Sequence, residues 1–155
     1  MNHTNPTVGL YAGSFDPFHL GHLSVVKQAR QIFDRVIVAK GINPQKKTKI
    51  GDEFPLPVQS FNNIGVETRV YKTLLTELIT ELENEFNNVI LVRGLRNGAD
   101  LEYEQNLIAF LRGMKPNVKV AAFYCEPELR HISSSTLRGI RQFSEIEYNK
   151  YVIKE

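Results

Sequence analysis

Cysteine is nearly absent from this sequence. A single one, Cys125, in 155 residues excludes an internal disulfide framework and most zinc sites. No apolar stretch approaches the roughly 20 residues needed to cross a bilayer. The opening residues, MNHTNPT, lack the charged and apolar regions of a secretory signal. A cytoplasmic chain without membrane contact is therefore expected. A net charge of +2 gives only weak grounds for nucleic-acid binding, so none is expected, and it suits a protein that handles small anions. No repeat, low-complexity tract or linker-like stretch divides the chain, and 42% hydrophobic content can bury an ordinary core. Residues 1–155 are read as a single domain.

What is present is alternation. TVGLYA (7–12), RVIVAKG (35–41), VETRVY (66–71), NVILVRG (88–94) and VKVAAFYC (118–125) read as strands. Several are almost continuously apolar, as expected when helices cover both faces of a parallel sheet. Between them, Val25, Val26, Ala29, Ile32 and Phe33 recur at helical spacing, as do Leu74, Leu75, Leu78, Ile79 and Leu82, and then Leu107, Ile108 and Leu111. Residues 50–65, with Pro55 and Pro57, allow at most a short helix. A last helix starts within SSSTLRGIRQF. The pattern predicts an α/β fold, doubly wound, with a five-stranded parallel sheet.

Ligands of such sheets sit beyond the carboxyl ends of the strands. Four loops there are unusual: GSFDPFHLGH after the first strand, NPQKK after the second, RGLRNGADLEYE after the fourth and PELRHISSS after the fifth. They gather Lys46, Lys47, Arg93, Arg96 and histidines on one predicted edge. In the first loop, Gly13 allows an unusual φ or a close ligand approach. Gly21 and His22 open a helix whose first turn offers N–H groups as a phosphate seat. His19-x-x-His22 also fits a metal pair, or two ordinary loop histidines. Three serines before an apolar residue exceed what one helix cap needs, and hydroxyls in series suit triphosphate oxygens. Lys47 and Lys49 read as solvated, Asp100 and Glu102 as first-turn helix charges, and Cys125 as a packed strand residue.

GSFDPFHLGH resembles the H/T-x-G-H signature of the nucleotidyltransferase superfamily, whose members bind ATP or CTP in a Rossmann-like domain. With VRGLRNGADLEYE and ISSSTLR in order behind it, the chain is similar to the phosphopantetheine adenylyltransferases from about residue 8 to about residue 142. The resemblance implies transfer of the adenylyl group of ATP to 4'-phosphopantetheine, giving dephospho-coenzyme A and pyrophosphate, with Mg²⁺ accompanying ATP. It implies catalytic roles for His22, Lys46 and Arg93. ATP contacts would fall to Ser14, Phe15, His22, Gly94, Leu95, Arg96 and Glu104, and to the segment Leu129, Arg130, His131, Ile132, Ser133, Ser134 and Ser135. Acceptor contacts would fall to Ser14, Lys46, Leu75 and Arg93. The family's assembly implies a homo-oligomer, in that case a hexamer, although the tail after Phe143 is shorter than the family's last helix. His19 stands where these enzymes usually carry threonine, and histidine there is commoner among cytidylyl- and nicotinamide-type relatives. Two alternatives stay open: another phosphorylated acceptor such as nicotinamide mononucleotide, or a non-catalytic nucleotide-binding regulator.

The chemistry fits the inventory. A phosphate monoester with a second pKa near 6 is already largely ionised at neutral pH, so an attacking phosphate needs no strong base. The obstacle is repulsion between anions, which fixed positive charge and positioning relieve. The sequence offers cations and helix N-termini, and no nucleophile constellation.

Overall fold

The computed structural model describes residues 5–45 and 53–155. The apolar runs form β1 (Thr7–Gly13), β2 (Arg35–Gly41), β3 (Glu67–Tyr71), β4 (Asn88–Leu95) and β5 (Lys119–Tyr124). All four pairings are parallel, in the order β3-β2-β1-β4-β5. The chain builds outward from β1 in one direction, then crosses over and builds β4 and β5 on the other side. The switch point therefore lies between β1 and β4.

Side-chain parity explains the two cores. Val8, Leu10 and Ala12 of β1, with Ile37, Ala39 and Leu91, face helix α3 (Leu75–Glu85), which buries Leu78, Ile79 and Leu82 against them. Tyr11, Val36, Val38 and Val92 point the opposite way, onto α1 (Leu20–Ile32) through Val25, Val26 and Ala29. Both faces being covered, the inner strands β1, β2 and β4 carry apolar residues at odd and even positions alike, whereas the edge strands β3 and β5 are only partly buried. Gly9 is needed where α1 ends. A Cβ there would lie 2.5 Å from the Phe33 ring.

The proline-containing stretch forms the short α2 (Val58–Asn63), which buries Phe61. Helix α4 (Gly98–Met114) follows β4, and α5 (Ser134–Phe143) and α6 (Glu145–Asn149) follow β5. A third small core joins Phe54, Ile132, Leu137 and Tyr148. The tail returns to the switch point. Val152 bridges His19, and the Leu20 amide donates to Tyr151 O at 2.9 Å. Among the described residues no helix is long and apolar enough to cross a membrane.

Candidate active site

Beyond the carboxyl ends of β1 and β4 lies a crevice of about 570 Å³. Three of the four unusual loops meet there. Ser14, Phe15 and His22 line it from the β1–α1 loop. Arg93, Gly94, Arg96 and Glu104 come from β4 and α4, and Ser133, Ser134 and Ser135 from the start of α5. Lys46 lies outside the described residues, as do Lys47 and Lys49. Leu75, Leu95 and residues 129–132 stand outside this lining. Leu75 packs on the α3 core, and Leu129 and Ile132 belong to the small third core. His131 is exposed beside Tyr151, and Arg130 is exposed as well.

The loop owes its shape to Phe15, not to Gly13. Phe15 holds φ at 48°, in the left-handed region that non-glycine residues seldom enter. Its ring folds back over Gly13, where a Cβ would stand 3.1 Å away. Gly13 is thus required for space, which corrects the expectation of an unusual φ there.

The first turn of α1 differs from expectation more sharply. His19 is its N-cap, and His19 Nδ1 accepts from the amides of Gly21 (3.1 Å) and His22 (3.3 Å). His22 Nδ1 accepts in return from the His19 amide at 3.1 Å. With Leu20 N bonded to Tyr151 O and Leu23 N to His19 O, all four first-turn amides are occupied. A ring acceptor carried by the capping residue has taken the seat expected for phosphate.

Both imidazoles accept at Nδ1, so each carries its proton on Nε2. Desolvation, with Arg96 nearby, lowers His19 to about 4. Desolvation likewise holds His22 well below its ordinary value, reinforced by His19, Arg96 and Arg93. The rings of Tyr11, Phe15 and Phe18 enclose His22 edge-on or tilted. The result is a neutral, tautomerically fixed donor. With both Nδ1 lone pairs taken by amides and both Nε2 atoms protonated, neither ring offers a metal a free lone pair in this arrangement. Among the described residues no cluster of three metal-ligating side chains exists.

Charge enters through arginines that are themselves held. Arg93 makes a two-pronged bridge to Glu104 (2.7 and 2.8 Å) and donates from Nη1 to Ala12 O at 2.9 Å. Burial is the largest single influence and opposes its charge, but the Glu104 hydrogen bonds together with the charges of Glu104 and nearby tyrosines hold its pKa above the ordinary value. Three of five N–H groups are used, so two remain. Arg96 is clamped by Asp100 and reaches Ile132 O at 3.1 Å, tying β4 to the segment before α5. Gly94 lies between these arginines because a Cβ would come within 2.8 Å of Val25 Cγ2.

At α5 the serines divide their work. Ser133 caps the helix by accepting from Thr136 N, and Ser134 Oγ donates to Pro17 O at 2.9 Å. Among the described residues nothing accepts from the Ser134 and Ser135 amides, so α5 presents free N–H groups to the crevice where α1 does not. Tyr11, Asp16, Tyr103 and Arg138, none of them among the expected site residues, also line it. Arg138 follows the serines in the same motif and was open to detection. Tyr103 carried no signal apart from its place in the loop.

Comparison with known proteins adds an independent line. Residues 10–140 match the family described as cytidylyltransferase-like. A phosphopantetheine adenylyltransferase of Mycoplasma capricolum subsp. capricolum is 33% identical, over 89% of this chain and 99% of its own length. One from Nitrobacter winogradskyi is 35% identical, over 87% of this chain and 84% of its own. Among solved structures, a provisionally assigned nicotinate-nucleotide adenylyltransferase from Vibrio parahaemolyticus superposes with a TM-score of 0.61 at 15% identity. It covers 96% of this chain and 94% of its own. A pantoate-beta-alanine ligase from Francisella tularensis gives 0.54 at 16% identity, over 90% of this chain and 66% of its own. The two structural likenesses speak for the fold alone.

Proposed function

The chain belongs to the cytidylyltransferase-like family, among the phosphopantetheine adenylyltransferases, and from that membership we propose that it transfers the adenylyl group of ATP to 4'-phosphopantetheine. The observation that carries the reading is the meeting of the 13–22, 93–104 and 133–138 segments around one crevice supplied with donors and cations. An oxygen of the acceptor phosphate bonds to the α-phosphorus of ATP. The bond from that phosphorus to the β-bridging oxygen breaks, and pyrophosphate leaves with the electron pair. No proton need move first.

His22 donates from Nε2 to the charge that builds on the α-phosphate, a role a neutral ring with a fixed tautomer fills without reorganisation. The two spare N–H groups of Arg93 hold the acceptor phosphate. Lys46 bridges the two substrates. The amides of Ser134 and Ser135, with Arg138, receive the triphosphate, while Ser14, Phe15, Gly94 and Arg96 bound the nucleotide. Asp16, Asp100 and Glu104 are each paired with a cation. Among the described residues that leaves no protein cage for Mg²⁺, which fits a metal that substrate phosphates and water would hold. When bound with ATP, the ion would neutralise triphosphate charge.

The test is an acceptor panel. Pyrophosphate release from ATP is measured with 4'-phosphopantetheine and with nicotinamide mononucleotide. Release with the first and not the second is expected. Preference for the second would move the chain to another acceptor, and tight ATP binding with neither would make it a nucleotide-binding regulator.

A further inference from the structure

Between β1 and α1 four successive carbonyls take their hydrogen bonds from side chains of other elements. Lys40 Nζ donates to Ser14 O at 2.5 Å and to Phe15 O at 3.2 Å. Arg138 Nη1 donates to Asp16 O at 2.7 Å, and Ser134 Oγ to Pro17 O. Lys40 also reaches the Asp16 carboxylate at 2.5 Å. Three ammonium hydrogens thus meet three acceptors, and the lysine is only 2% exposed, directly after the apolar run Val36–Ala39 of β2.

A buried ion pair is a poor device for stability alone, since apolar side chains of similar volume often do as well or better. What Lys40 supplies is geometry. It grips the carbonyls on both sides of the Phe15 α-carbon, the residue held at φ 48°. A left-handed phenylalanine persists only where its surroundings over-determine it. The Phe15 ring so placed meets the His22 ring edge-on at 5.0 Å and the Tyr11 ring at 5.1 Å. The contact path runs from Lys40 through the backbone of Ser14 and Phe15 to the imidazole.

We infer that Lys40 is a positioning residue for the transfer reaction: by clamping the Ser14–Asp16 loop from beneath, it sets the Phe15 ring and with it the aim of His22 Nε2–H. The inference rests on the transferase reading above. Lys40 does not itself line the crevice and meets that lining only at Ser14, Phe15 and Asp16, so its effect passes through the loop.

The experiment uses the full chain with Lys40→Met and with Lys40→Met/Asp16→Asn, the second removing the carboxylate left unpaired in the first. Four quantities are read: Tm, kcat, KM for ATP, and the imidazole ¹⁵N resonances of His22 without substrates. Both variants are expected to fold. Their kcat should drop about 10²-fold, the scale of a small misplacement of catalytic groups, with KM for ATP changed far less. The His22 resonances should move in both, and the second variant should regain Tm without regaining kcat. Unmoved His22 resonances, an unchanged kcat, a kcat that recovers in step with Tm, or failure of both variants to fold would each overturn the inference. Should the unaltered chain release no pyrophosphate with any phosphorylated acceptor, the transferase reading fails instead, and the His22 resonances still decide whether Lys40 positions the ring.

Discussion

His19 and His22 cap the same turn of α1 reciprocally, each ring accepting at Nδ1 from backbone the other residue helps to place, with the two rings stacked at 3.6 Å. One geometry serves two ends. It satisfies the helix start, and it leaves Nε2–H of His22 as a donor of fixed identity. Protonating either Nδ1 would replace an accepted hydrogen bond with a clash of two N–H groups.

That arrangement has a pH signature. Unfolded histidines titrate near 6.5, whereas His19 is lowered to about 4 and His22 lies well below its ordinary value when folded. Between these limits the unfolded chain binds more protons, so stability must rise with pH across the window. Full stability is present above pH 6.5 and is progressively lost as pH falls toward 4. Urea denaturation at intervals from pH 7.5 to 4.5 should show the midpoint falling below 6.5. A midpoint flat from 6.5 to 5 would contradict the neutral pair.

His19 is separable from the chemistry through its cap. Threonine is a natural N-cap acceptor, so His19→Thr should leave stability at pH 7.5 within about 0.5 kcal/mol and flatten the acid side of the profile. His19→Ala, which leaves the Gly21 and His22 amides without that acceptor, should cost about 1–2 kcal/mol. Denaturant midpoints at the two pH values check both. Equal losses for alanine and threonine would show that the ring stack, not the cap, carries the effect.

His22→Ala should lower kcat by roughly 10²–10³-fold, the scale of losing one preorganised donor to developing charge, with ATP affinity much less affected. Steady-state kinetics with calorimetric ATP titration checks this. Parallel losses in rate and affinity would mean that the ring binds ground state and transition state alike.

Much of this was legible in the residue order. The inner strands β1, β2 and β4 could be read because burial on both faces leaves a parallel strand little room for polar alternation. The crevice could be placed because the polar loops follow those strands. What could not be read depends on partners distant in sequence. Lys40 lies in a run that reads as plain strand, and its acceptors are 24 to 26 residues away. Arg138 finds Asp16 O across 122 residues. The α1 amides looked available because nothing in H-L-G-H says that the first ring turns back onto its own helix. Nor does the tail announce that Tyr151 O and the Glu155 carboxylate accept from the starts of α1 and α2. Two of the three serines proved to have structural work, as cap and as clasp on Pro17, while keeping their place at the crevice.

Arg93 and Glu104 give the sharpest separation of binding from folding. Their side chains are 17% and 10% exposed, and the bridge has two prongs. Removing one partner strands the other charge in a dry setting, so Arg93→Ala alone should destabilise by about 3–5 kcal/mol. A raised acceptor KM in that variant could then reflect either lost contact or a loosened crevice. Arg93→Ala/Glu104→Ala removes both charges and should recover most of the stability. If the two spare N–H groups of Arg93 hold the acceptor phosphate, KM for 4'-phosphopantetheine stays raised in the double variant while KM for ATP returns toward that of the unaltered chain. If acceptor KM recovers with stability, Arg93 serves the crevice wall and the acceptor phosphate is held elsewhere. Glu104→Gln completes the comparison. It keeps one acceptor for Arg93 but weakens its hold on the guanidinium, so acceptor KM should rise modestly with kcat nearly unchanged.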